Sequence, residues 1–161
     1  MSKIDCGFTT ENSWFRYRTG GILIKDNKML FIKSNEDNYY YMIGGAVHHG
    51  ETSKSCIERE IFEESGIIAH VKYLTVVCEN FFKGRGGKID GLDCHTLEFY
   101  YFMEIENLDG LKEKTDTGEE LIWLSLDDIK KNNIKPAFIK ERIREILNSK
   151  QTIHILEERD R

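Results

Sequence analysis

The chain has 161 residues, 40% of them hydrophobic and 32% charged, and a formal net charge of −5. That length suits one domain with a real core, and the acidic balance argues against generic binding to nucleic acid backbones. No apolar run approaches the roughly 20 residues needed to span a bilayer, and MSKIDCGFTT lacks the apolar stretch of a secretory leader, so a cytoplasmic location is expected.

In chain order, residues 16–25 (RYRTGGILIK) read as a strand, Asp26-Asn27 as a turn and residues 28–33 (KMLFIK) as the second arm of a hairpin. Residues 39–43 form a short strand leading into paired glycines. Two long strands follow at 68–82 and 94–106, rich in Val and aromatic residues. Between them lies KGRGGKIDGLD, whose glycines make 83–91 the best lid candidate. Residues 120–124 suggest a short strand, and SLDDIKK a helical turn with Ser125 as its cap. Pro136 opens a helix with Phe138, Ile139, Ile143, Ile146 and Leu147 at helical spacing. The tail, QTIHILEERDR, fits either an added strand or a frayed end. This order lacks a steady βαβ rhythm and predicts an α/β (α+β) fold, a mixed β-sheet with helices on both faces. The four cysteines, Cys6, Cys56, Cys78 and Cys94, form no C-x-x-C pair. Core packing is the expected role of Cys56 and Cys78.

Residues 45–67, GAVHHGETSKSCIEREIFEESGI, carry most of the chemistry. A tight loop feeds a helix that Thr52 or Ser53 can cap and Gly66 can end. At about 100° per residue, Glu60, Glu63 and Glu64 fit within an arc of about 100°. Ile57 and Ile61 form the neighbouring apolar stripe. Like charges at this spacing cost roughly 0.2–0.5 kcal/mol per pair in an isolated helix, and a hard divalent cation with oxygen ligands would convert that cost into affinity. The bland alternative is a solvated acidic face including Glu58. It leaves Gly45, Glu51, Arg59 and Gly66 unexplained, and a chance match at these four together with Glu60, Glu63 and Glu64 is expected in on the order of one window in 10⁸.

This run resembles the signature box of the Nudix hydrolases at every specified position: Gly45, five residues, Glu51, seven residues, Arg59-Glu60, a hydrophobe, any residue, Glu63-Glu64, any residue, Gly66 and a hydrophobe. Many members carry Pro before the paired glycines, where this chain has Ile43. The resemblance implies a Nudix-type α/β/α sandwich with a loop–helix–loop box, in a single domain over 1–161 with its core at about 16–147. It implies a pyrophosphohydrolase that cleaves a nucleoside diphosphate linked to another group, with Mg²⁺ or Mn²⁺ bound by Glu60, Glu63, Glu64 and the Gly45 carbonyl. Glu63, Glu119 or Glu120 is the implied general base, and Glu51 with Arg59 the pair that orients the helix against its loop. Glu98 ranks third among the glutamates outside the box, with solvent exposure as its plain alternative.

Arg16, Arg18 and Arg85, with Lys33, Lys83 and Lys88, could neutralise substrate phosphates. Tyr39, Tyr40, Tyr41, Phe81 and Phe82 could stack on a base, although packing is their default. His48 and His49 sit at unspecified box positions and read as tuning residues. The expected partner is a small nucleotide, with no stable nucleic acid complex and no membrane; a homodimer is left open. The alternative function is a catalytically silent nucleotide-sensing or partner-binding module, which the intact carboxylates disfavour.

Overall fold

A computed structural model describes residues 3–159. Its strands are β1 (Gly7–Thr9), β2 (Ser13–Ile22), β3 (Ile24–Lys25), β4 (Lys28–Lys33), β5 (Tyr40–Tyr41), β6 (Gly44–Ala46), β7 (Ala69–Lys83), β8 (Asp93–Ile105), β9 (Glu120–Ser125), β10 (Ile134–Lys135) and β11 (Ile153–Arg159). Helix α1 covers Ser53–Ser65 and α2 covers Ala137–Asn148. The strands form two mixed sheets where the element order suggested one. The first runs β1-β2-β8-β7-β11 with β6 also on β2, and the second runs β10-β5-β4-β3 with β9 on β4.

The division falls inside the expected strand 16–25. The chain leaves the first sheet after Ile22, passes the buried Leu23 and enters the second as β3. Asp26 and Asn27 then turn with φ of 51° and 61°, both in the left-handed region of a two-residue type I′ hairpin, which short polar side chains tolerate. On β4 the alternation of side chains feeds two cores. Met29 and Phe31 join the cluster under α2, while Leu30 and Ile32 join the cluster under α1. A strand buried on both faces reads as the unbroken apolar run MLFI.

Thr52 caps α1, its hydroxyl accepting from the Ser55 amide at 3.0 Å, and Gly66 closes it at φ 79°. Ile57 and Ile61 lie directly over Gly21, where an added Cβ would stand 2.9 Å from Ile61 Cδ1. The missing side chain lets the helix settle on the strand. Glu58 is not a solvated residue: its Oε1 accepts from the Val71 amide at 2.9 Å and ties α1 to β7. On the opposite side, Phe138 of α2 meets Tyr100 of β8 edge-on at 5.4 Å. The tail forms β11, parallel to β7; its last two residues lie outside the described ones. All four cysteines are free, and Cys56 and Cys78 are buried.

Ile61 is fully buried whereas the adjacent Phe62 is 56% exposed. Ile61→Ala should therefore cost about 2–5 kcal/mol of unfolding free energy by urea titration, against roughly 0.5 kcal/mol or less for Phe62→Ala.

Candidate active site

The loop before α1 begins as β6, antiparallel to β2, with Gly44 opposite Gly20 and Gly45 opposite Thr19. An added Cβ on Gly44 would meet the Thr19 carbonyl oxygen at 2.0 Å, so only glycine allows these backbones to approach. At Gly45 the space belongs to Glu60, whose Cδ and Oε1 would lie 2.4 Å from an added Cβ. The Glu60 carboxylate thus rests on the α-carbon of the loop.

Arg59 organises the rest. Its Nε and Nη2 donate to the two oxygens of Glu51 at 2.7 and 3.1 Å, a bidentate fork. Its Nη1 donates to Glu60 at 2.9 Å and to Glu63 at 3.1 Å. The His48 amide adds a bond to Glu51 Oε2 at 3.0 Å. The Arg59 hydrogen bond overrides burial and holds the Glu51 carboxyl down to about 2. The guanidinium, in turn, is held well above its ordinary value, first by Glu51.

The other carboxylates shift upward. Glu60 is raised by burial, against the pull of Arg59. Glu64 is raised by burial and then by the negative charges of Glu60, Asp116, Glu119 and Glu63. Glu119 Oε1 accepts from the Tyr41 hydroxyl at 2.7 Å and from Thr117 at 3.3 Å. Burial first, and then Glu119, push the Tyr41 phenol well above its usual range. Glu120, its neighbour in sequence, is exposed on β9 opposite Lys33. The fold therefore gathers Glu60, Glu63, Glu64 and Glu119 and leaves Glu120 apart. Among the described residues no three His, Cys, Asp or Glu side chains form a ready-made metal cage. The donor set is nonetheless all oxygen, and the leading charges acting on Glu64 are negative, which fits a hard divalent cation.

A cavity of about 570 Å³ opens on the α2 side of β2, β8 and β7, bounded by Arg18, Lys83, Arg85, Lys135 and Arg159. Tyr41 belongs to its wall and, through its hydroxyl, to Glu119, so one ring separates the cavity from the carboxylates. Glu98, mid-strand on β8, is only 7% exposed and lies in this cavity. It accepts from the Thr96 and Tyr100 hydroxyls and from Asn80 Nδ2 at 3.3 Å. Solvent exposure, the plain expectation for Glu98, is thereby corrected: the residue lies in a cavity whose other walls include Tyr39, Tyr41, Lys135 and Pro136.

A model of the NUDIX domain matches residues 14–146. This chain belongs to the Nudix hydrolase family. It is a hydrolase acting on pyrophosphate bonds. An ADP-ribose pyrophosphatase from Methanocaldococcus jannaschii is 29% identical over 126 residues, which is 76% of this chain and 67% of that protein. Similar folds are seen in a NUDIX hydrolase from Nitrosomonas europaea (TM-score 0.68, 16% identity, 94% of this chain and 82% of that one). A MutT protein from Bacillus halodurans is also similar (TM-score 0.65, 18% identity, 86% of each chain).

Against this Nudix frame, the sequence-derived cations divide. Arg18 and Arg85 border the cavity together with Lys83. Arg16 does not: its Nη1 donates to Asp5 at 2.6 Å and its guanidinium lies 5.0 Å from the Trp14 ring centre. Lys33 is in the β4–β9 ladder. The 83–91 loop is tied down by backbone bonds from Gly84 to Leu92 at 2.9 Å and from Gly91 to Gly84 at 3.0 Å. Tyr41 and Glu98 are named from the sequence for other roles, whereas Asn80 is not singled out there, since Thr75 and Glu79 on the same strand make it one polar residue among several on β7.

Glu51 supplies a pH test. Its folded pKa is depressed, so its stabilisation is complete above the ordinary carboxylate value and is lost as pH falls towards about 2. The urea-midpoint gap between wild type and Glu51→Gln should be constant near neutrality and close between about pH 4.5 and 2. The upward shifts of Glu60 and Glu64 are common to both proteins and leave that gap unchanged to first order.

Proposed function

We propose that this Nudix hydrolase splits a nucleoside diphosphate joined to a second group, using Mg²⁺ or Mn²⁺ at the carboxylate face. The observation that carries the reading is Glu64, half-buried and raised first by burial and then by the carboxylates of Glu60, Asp116, Glu119 and Glu63. Glu60, Glu63, Glu64 and the Gly45 carbonyl would hold the ion. Such an ion lowers the pKa of bound water and neutralises phosphate charge. The protein's own groups do the rest. Arg59 and Glu51 orient Glu60 and Glu63, and Gly45 gives Glu60 the room it occupies.

Glu119 is the proposed base. Tyr41 and Thr117 both bond its Oε1, leaving Oε2 to take the proton. Glu63 is drawn to Arg59, and Glu120 faces solvent. Arg18, Lys83 and Arg85 receive the substrate phosphates at the cavity mouth. The name of the archaeal relative puts ADP-ribose first in a test panel, followed by nucleotide sugars and nucleoside triphosphates. The same proposal treats 1–161 as one domain in the cytoplasm. Among the described residues no helix is long and apolar enough to cross a membrane.

Phosphate and nucleotide release from this panel with Mg²⁺ tests the reading. Glu64→Gln should lose more than the roughly 10–100-fold typical of groups that only orient ligands. Glu119→Gln should lower kcat by about 10²–10⁴-fold, with Glu120→Gln within about threefold of wild type. Full activity in Glu64→Gln would sink the proposal. Because burial raises the Glu60 and Glu64 carboxyls, protons should compete with the ion from above the ordinary carboxylate range. Calorimetric Mn²⁺ affinity should therefore weaken as pH is lowered from neutrality, and Glu64→Gln should flatten that dependence.

A further inference from the structure

The cavity behind Tyr41 has a polar floor that the hydrolytic chemistry does not use. Asn80, Thr96, Glu98 and Tyr100 all line it, and Asn80 and Glu98 are 5% and 7% exposed. Three side chains of the group each donate to one carboxylate. Thr96 and Tyr100 give their hydroxyl protons to Glu98, and Asn80 Nδ2 donates to Glu98 Oε2 at 3.3 Å. The amide orientation follows: the flipped form would set Asn80 Oδ1 against a carboxylate oxygen. Asn80 Oδ1 is buried and has no hydrogen-bond partner. Buried acceptors in folded proteins are paired in the great majority of cases. Glu98 Oε1 accepts only from Tyr100 among the described residues, so it retains a lone pair.

Apart from the second N–H of the Asn80 amide, what the floor offers a ligand is acceptors. A matching ligand must bring N–H or O–H donors. The walls favour a flat ring over a sugar, since Tyr39, Phe82 and Pro136 face the same space, and Lys135 Nζ already lies 4.1 Å from the Tyr39 ring centre. Aromatic faces and a prolyl ring suit stacking on a heterocycle.

Resting on the proposed nucleotide hydrolysis, we infer that Asn80 and Glu98 form a specificity-determining acceptor pair for a nucleobase edge with an exocyclic amino group. Counting donors orders the bases. Guanine presents two adjacent donors, a ring N–H and an amino group, and fits best. Adenine and cytosine present an amino group beside an acceptor. Uracil places a single N–H between two carbonyls, which would face the carboxylate and the amide oxygen, and it fits worst.

The test is calorimetric titration of the intact chain with GMP, AMP, CMP and UMP in EDTA, so that no turnover enters. The expected result is GMP about 10–100-fold tighter than UMP, the range of a good bidentate base contact. In Glu98→Gln that ratio should fall to within about threefold while UMP affinity stays the same. Thermal melting monitors folding, and Asn80→Ser is the second variant should Glu98→Gln not fold. Equal affinity for the four nucleotides, no binding up to millimolar concentration, or an undiminished ratio in a folded variant overturns the inference. Hydrolysis assays keep the two readings apart. Turnover without base preference would discard the acceptor pair and keep the hydrolase proposal, whereas selective binding of GMP without turnover of any panel member would do the reverse.

Discussion

The close approach of β2 and β6, with Gly20 opposite Gly44 and no room for a side chain on Gly44, is the constraint from which the site follows. It brings the loop backbone to the edge of the sheet. Gly21, next along β2, lets Ile57 and Ile61 settle on the strand, and that sets the height of α1. With the helix at that height, Glu60 reaches the bare α-carbon of Gly45. Three glycines without side chains thus convert a packing relation into the placement of a carboxylate. A methyl group at any of them would separate layers whose contact the chemistry needs.

Electrostatics completes what packing begins. One guanidinium, Arg59, spans Glu51, Glu60 and Glu63, anchoring one carboxylate firmly and steering two. Glu64 and Glu119 make none of these bonds, and at Glu64 the neighbouring carboxylates dominate the field. The positive side chains gather instead around the cavity on the other face of the sheet. In a chain of net charge −5, this separation leaves the carboxylate face attractive to a cation and the cavity rim attractive to an anion. Tyr41 stands at the boundary, an aromatic wall on one side and a hydrogen-bond donor on the other.

The box was legible because its information is local. Helical periodicity puts Glu60, Glu63 and Glu64 on one side, and Thr52 and Gly66 mark its ends without reference to the rest of the chain. The hairpin at Asp26-Asn27 and the stripe of α2 were readable for the same reason. The change of sheet at Leu23 was not, since nothing within residues 16–25 says that Ile22 and Ile24 find different neighbours. The cavity was least legible of all, being built from β2, β5, β7, β8, β10 and β11. Alternation correctly set Glu98 opposite Leu97 and Phe99. It could not say that the Glu98 face would be enclosed by residues at β5 and β10, because that depends on contacts between distant segments. Glu119 and Glu120 show the same limit at one residue's scale: strand alternation separates them, and only the register with β4 tells which one turns inward.

The pairing of β2 with β8 has a kinetic side. It is parallel and joins Ser13 to Asp93, so a long stretch of chain must be closed before its first bond forms. The β7–β8 hairpin is local, Lys83 lying opposite Asp93 across a short loop, and can form as a seed on its own. Glycines 20 and 21 ride on β2, so α1 has no seat until that strand docks. The carboxylates of the box therefore stand in their final positions only once that long-range docking is complete.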